Sequence, residues 1–148
     1  MEYEVYSDLK ARSDYQIFEF KSIGKNGNIL KGIMFMPTKV QMVYNLEFGD
    51  IDKNGKLNYY SISNNDDRDK ILATIVKAID IYTIKYPDRL IYFSGSTKER
   101  TRLYRMAISV NFEKLSEKFE IMVKTENELD FTPFKKNIQA KGFLIKRK

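Results

Sequence analysis

RLIYFSGSTKERTRLYRMAISV, Arg89 to Val110, joins a short apolar run to a charged one across a Gly-Ser-Thr elbow. Leu90, Ile91, Tyr92 and Phe93 are strand-forming residues bounded by Pro87 and Gly95, the pattern of an inner strand covered on both faces. Gly95 lets the backbone turn sharply. Ser96 with Glu99 three residues later is a capping-box pattern, which predicts a helix from Ser96, with Thr97 in its first turn, to about Val110.

On that helix Lys98, Arg102 and Arg105 share one face, while Leu103, Met106 and Val110 share another. Arg100 and Tyr104 form a further pair four residues apart. A helix N-terminus exposes backbone N–H groups and the positive end of the dipole, so phosphate is a natural ligand there. Glu99 opposes this, because in a capping box its carboxylate occupies those donors. An anion is therefore expected to meet the stripe more than the elbow. Ser96, Thr97, Lys98, Arg100, Arg102, Tyr104 and Arg105 are the candidate anion- or nucleic-acid-binding residues, set against the plainer reading of a solvated basic face.

Composition narrows the chemistry. The chain has 148 residues, 43% hydrophobic and 31% charged, which fits one α+β domain over residues 1–148. Cysteine and histidine are both absent. No disulfide framework exists, which fits a reducing, cytoplasmic setting. Neither Ser-His-Asp nor Cys-His catalysis nor a His- or Cys-ligated zinc site is available, and no motif calls for a cofactor. The N-terminus is polar and no long apolar run spans a bilayer, so no membrane is expected.

The net charge of +6 is uneven: every Asp and Glu lies at or before Asp130, whereas Lys135, Lys136, Lys141, Lys146, Arg147 and Lys148 follow it. Residues 135–148 thus form a basic end on an otherwise neutral chain, attractive to nucleic acid or to an acidic partner protein.

Upstream, Met1 to Asp14 shows no clean period and is expected to wrap the domain, with Tyr3, Val5, Tyr6 and Leu9 as anchors. YQIFEFKSI and ILKGIMFM flank an Asn-Gly turn and read as a hairpin. VQMVYNLEF alternates, with Val40, Met42, Tyr44, Leu46 and Phe48 on one face, and leads through a turn at Asp52 to Lys56 into LNYYSIS. Asp50-x-Asp52-x-Asn54-Gly55 imitates the opening of a calcium loop, but its twelfth place is Ser61 and its flanks read as strands, so a hairpin turn is the reading.

The longest helix follows in SNNDDRDKILATIVKAIDIYTIKYPD, capped by Asn64 or Asn65, with Ile71, Leu72, Ile75, Val76, Ile79 and Tyr82 on its packing stripe. Asp66, Asp67 and Asp69 suit its positive end. After the basic helix come a polar link over 111–118, a strand at Phe119 to Lys124, a loop containing Pro133 and a last strand in GFLIKR. The order predicts an α+β fold: a mainly antiparallel sheet made of two N-terminal hairpins and then helix-strand-helix-strand, with two helices packed on one face.

The runs VYNLEFGDID, NNDDRDKILATI, YFSGSTKERTRLYRMAIS and FLIKRK resemble a family of small bacterial single-domain proteins catalogued as a domain of unknown function. The resemblance covers nearly the whole chain from Tyr15 onward and implies no established activity.

Three functions fit. The first expectation is a module binding RNA or single-stranded DNA through the basic helix, with Tyr59, Tyr60 or Tyr104 stacking on bases. The second is a histidine-free ribonuclease, such as the toxin of a toxin–antitoxin pair, with Arg and Lys stabilising a phosphorane and Tyr or Glu carrying protons. The third is an interaction module for an acidic partner protein.

Overall fold

The computed structural model describes residues 3–59, 64–126 and 130–148. Within them lie nine strands and three helices, and the strands hydrogen-bond in the order β1-β2-β3-β4-β6-β9-β7-β8 with β5 on β4. The sheet is mostly antiparallel, as the order of elements predicts. The described residues divide into two compact units, one built from 3–36 with Leu46–Lys85, the other from Pro37–Asn45 and Tyr86–Lys148.

In the first unit, β1 (Lys10–Arg12), β2 (Ile17–Gly24) and β3 (Gly27–Pro37) form an antiparallel meander. The expected Asn-Gly hairpin is present: Gly24 pairs with Gly27, whose φ of +88° suits glycine. Phe18, Phe20, Ile33 and Phe35 are almost fully buried, and Phe35 stacks on Tyr82 of α1 (Arg68–Lys85) at 3.9 Å. On α1 the buried set includes Ile75, Ile79 and Tyr82 but also Thr74, Asp80 and Thr83, so its buried arc is wider than the predicted stripe. Thr74 and Thr83 satisfy their hydroxyls on the carbonyls of Lys70 and Ile79, both at 2.7 Å, which lets them enter the core.

Three expectations for the first half of the chain need correction. The N-terminal segment is not a mere wrap, because β1 pairs with β2 and Tyr6 is buried, its amide on the Thr74 hydroxyl at 2.9 Å; Tyr3 and Val5 stay exposed. Asn64 and Asn65 do not cap α1: the helix begins after Asp67, whose carbonyl accepts from Ile71 N at 2.9 Å. Asn65 instead binds the hairpin, with Oδ1 accepting from Asn26 N at 2.6 Å and Nδ2 donating to Gly27 O at 2.9 Å. Finally, β4 (Val43–Ile51) starts later than the alternation predicts. The Thr38 hydroxyl holds a turn, accepting from Val40 N at 3.2 Å and donating to Val43 O at 2.8 Å, so Val40 and Met42 are exposed.

The Asp52–Lys56 turn forms as expected and leads into the short β5 (Leu57–Asn58). Asp52 Oδ1 accepts from the amides of Asn54 and Lys56, each at 2.9 Å, and Asp50 pairs with the buried Lys31 ammonium. Tyr60 to Ser63, the end of the expected strand, lie outside the described residues.

The second unit carries β6 (Leu90–Phe93), α2 (Lys98–Val110), α3 (Phe112–Ser116), β7 (Phe119–Lys124), β8 (Phe131–Pro133) and β9 (Gly142–Arg147). β6 is an inner strand, parallel to the start of β4 (Val43 opposite Leu90) and antiparallel to β9. That parallel pair stands beside the antiparallel β4–β5 hairpin, which forms as read. α3 and β8 fall where a link and a loop are predicted; Phe112 of α3 stacks on Phe134 at 5.3 Å. β9 lies between β6 and β7, so the C-terminal residues are a central strand. Ile91, Phe93, Phe119, Ile121, Val123, Phe143 and Ile145 are all buried and share one face by register.

Candidate binding site on α2

The elbow that aims α2 differs from the capping-box prediction by one residue. The N-cap is Thr97, with φ −135° and ψ 165°, and its hydroxyl accepts from Arg100 N at 3.2 Å. Arg100 thus occupies the third helical position, where a capping box requires Glu or Gln, and Glu99 sits one place too early for that role. Ser96, one residue outside, accepts instead from Arg100 Nη1 at 3.0 Å.

Gly95 is required for a reason other than turning. It does not have a positive φ, unlike Gly27 and Gly55. A Cβ there would lie 2.5 Å from Arg100 Cβ and against Thr101 N, so only glycine lets β6 come this close to the first turn of α2. The Gly95 amide donates to Thr101 Oγ1 at 2.9 Å, and that hydroxyl donates to Thr97 O at 3.2 Å.

The packing face of α2 is set by these contacts. Thr101 and Ile108 are its buried residues, and Tyr104 lies between them with its ring edge-on to Phe93 at 5.7 Å. Positions 101, 104 and 108 follow the three- and four-residue spacing of one helical face. Leu103, Met106 and Val110, the apolar stripe, therefore lie off the buried face. Met106 is 47% and Val110 75% exposed, with Leu103 half-buried. A threonine bonded to the elbow backbone occupies the core position, which a hydrophobicity pattern does not reveal.

The apolar stripe consequently faces away from the packing side, whereas the basic stripe runs along its edge, with Arg105 four residues after the buried Thr101 and three before the buried Ile108. Lys98 and Arg102 are exposed and Arg105 half-buried, and among the described residues none of the three forms an ion pair. The other four candidates are used internally: Thr97 caps, Ser96 and Arg100 bind each other, and Tyr104 packs on Phe93. Of the remaining proposed stacking residues, Tyr59 is half-buried and Tyr60 lies outside the described residues.

The basic C-terminal end does not add to this surface as a unit. Alternation along β9 turns Lys146 to the face opposite Ile145 and Phe143, and α2 packs on the face that carries Phe93 and Phe143. Arg147 returns to the helix side but lies over the Phe119 ring at 5.4 Å. Lys135, Lys136 and Lys141 are exposed in the segment before β9.

Elsewhere, Tyr6 in the first unit is a group with a displaced proton affinity. Burial, and then its hydrogen bond to the Asp67 carboxylate, hold its phenol above the ordinary value of 10.0. Asp67 also accepts from Ser22 Oγ at 2.5 Å, and Ser22 in turn accepts from Asn65 Nδ2 at 3.0 Å. This network ties the N-terminal segment and β2 to the start of α1. Arg68, placed among the acids, pairs with its neighbour Asp69 at 3.9 Å.

A family model described as a family of unknown function, DUF6934, matches residues 2–148. No curated protein and no solved structure matches the chain.

Proposed function

The chain belongs to this DUF6934 family of unknown function, and we propose that it acts as an interaction module whose contact surface is the outer side of α2, taking an acidic partner protein. The observation that carries this reading is one side of α2 that holds the exposed Lys98 and Arg102 and the half-buried Arg105 without ion-pair partners among the described residues. Cations left unpaired on a folded surface are available to carboxylates that approach from outside. Three charges suit a short acidic segment. A nucleic-acid track would draw on a longer basic path, whereas Lys146 faces the other side of the sheet.

RNA or single-stranded DNA is the second reading, favoured by the cap. With Thr97 as N-cap, Glu99 is out of capping-box position, so the objection to a phosphate at the N-terminus of α2 is removed.

The test uses fluorescence anisotropy at low salt with labelled poly-L-glutamate and, separately, labelled oligouridine. Lys98, Arg102 and Arg105 are changed together to Ala, against a control in which Lys135, Lys136 and Lys141 are changed to Ala for the same loss of charge. The reading expects poly-L-glutamate binding to fall in the α2 variant and to persist in the control. Equal losses in both variants would mean that only net charge matters and would overturn it. Binding confined to oligouridine would favour the second reading.

A further inference from the structure

We infer that the outer side of α2 recognises an amphipathic acidic helix, its apolar stripe resting on Leu103, Met106 and Val110 and its carboxylates meeting Lys98, Arg102 and Arg105. This rests on the proposed interaction reading and adds the form of the partner.

Leu103, Met106 and Val110 recur at intervals of three and four, so they line up along one side of α2. Isolated exposed apolar residues are ordinary on a protein surface. A row of three on one helix, with Val110 75% and Met106 47% exposed, matches the anchor spacing by which helices dock. Arg102 is four residues before Met106 and Lys98 four before Arg102, so the basic edge runs alongside the apolar row. Glu99 is the acid at the start of the row, and it would repel a carboxylate placed over the row itself. The surface therefore specifies apolar groups over the row and acids to the basic side.

Charge also argues against a second copy of the chain. Antiparallel pairing of two α2 helices about a two-fold axis sets the basic edge of each against the basic edge of the other. Parallel pairing sets it against Ala107 and Arg100. Neither supplies carboxylates, so the complementary occupant is a different, acidic helix.

The probe is a labelled 18-residue peptide of Leu, Glu and Ala, with Leu at the spacing of Leu103, Met106 and Val110 and Glu along one flank. A peptide of identical composition in permuted order is the control. The wild-type chain should bind the amphipathic peptide about tenfold more tightly than the permuted one, as expected for burying parts of two or three apolar side chains. Met106→Ser with Val110→Ser should erase that preference while leaving poly-L-glutamate binding unchanged. Equal binding of the two peptides, with poly-L-glutamate still dependent on Lys98, Arg102 and Arg105, would overturn this inference and leave the interaction reading standing. Loss of all dependence on those three cations would overturn both. A dimer that the Ser pair dissociates, or phosphatidylglycerol vesicles or oligouridine competing away the amphipathic peptide, would assign the row to another occupant and overturn the inference as well.

Discussion

The amide of Gly95 donates to the hydroxyl of Thr101 across 2.9 Å, tying the end of β6 to the first turn of α2. With Thr101 only 8% exposed, the bond fixes which side of the helix turns inward and, by exclusion, which side turns outward.

Thr101→Val should therefore destabilise the protein by roughly 1–3 kcal/mol, because it strands the Gly95 donor in a water-poor site. Thr101→Ser, which retains the hydroxyl, should lose less. Gly95→Ala should lose more than Thr101→Ser, since the added methyl meets Arg100 Cβ at 2.5 Å. Urea unfolding midpoints rank the three; a Thr101→Val variant as stable as wild type would contradict the role given to this bond.

Tyr6 predicts a pH dependence. Its folded-state pKa is raised above 10.0, so its contribution is fully present below about pH 10 and is lost as the pH rises through the folded value. Tyr6→Phe should lower stability at neutral pH by about 1–3 kcal/mol, since Asp67 loses a donor. It should also flatten the alkaline fall in stability. Unfolding measured from pH 7 to pH 11 checks both; parallel curves for wild type and variant would exclude the phenol as their source.

The basic C-terminal end should behave as core. β9 pairs with β6 on one side and β7 on the other, and Phe143, Leu144 and Ile145 are buried. Deleting residues 142–148 should abolish cooperative unfolding of the chain, whereas substituting the exposed Lys135, Lys136 and Lys141 with Ala should change stability by no more than about 0.5 kcal/mol. Calorimetry that found the deletion variant folded with an unchanged transition would contradict the central placement of β9.

Much of this architecture is legible in the residues. The Asn26-Gly27 hairpin, the Asp52–Lys56 turn, the inner strand at Leu90–Phe93 and the two longer helices follow from turn chemistry and periodicity. The errors have a common cause, polar side chains that serve the interior. Thr101, Thr74 and Asn65 are buried because their hydrogen bonds are met by nearby backbone, and no hydropathy pattern announces that. The parallel pairing of β4 with β6 depends on a return through α1 that local sequence does not encode. At the candidate site the cations Lys98, Arg102 and Arg105 are legible as a stripe, whereas the exposure of Met106 and Val110 depends on Thr101 and Ile108 occupying the packing face.

The outward face of α2 as the contact surface is tested most directly by amide shift mapping of the ¹⁵N-labelled chain titrated with the amphipathic acidic peptide. The account predicts the largest changes within Lys98–Val110, at Lys98, Arg102, Leu103, Arg105, Met106 and Val110, with Thr101 and Ile108 moving less. Largest changes in the Lys135–Lys141 segment or around Tyr6 and Asp67, or no changes at all, would contradict it.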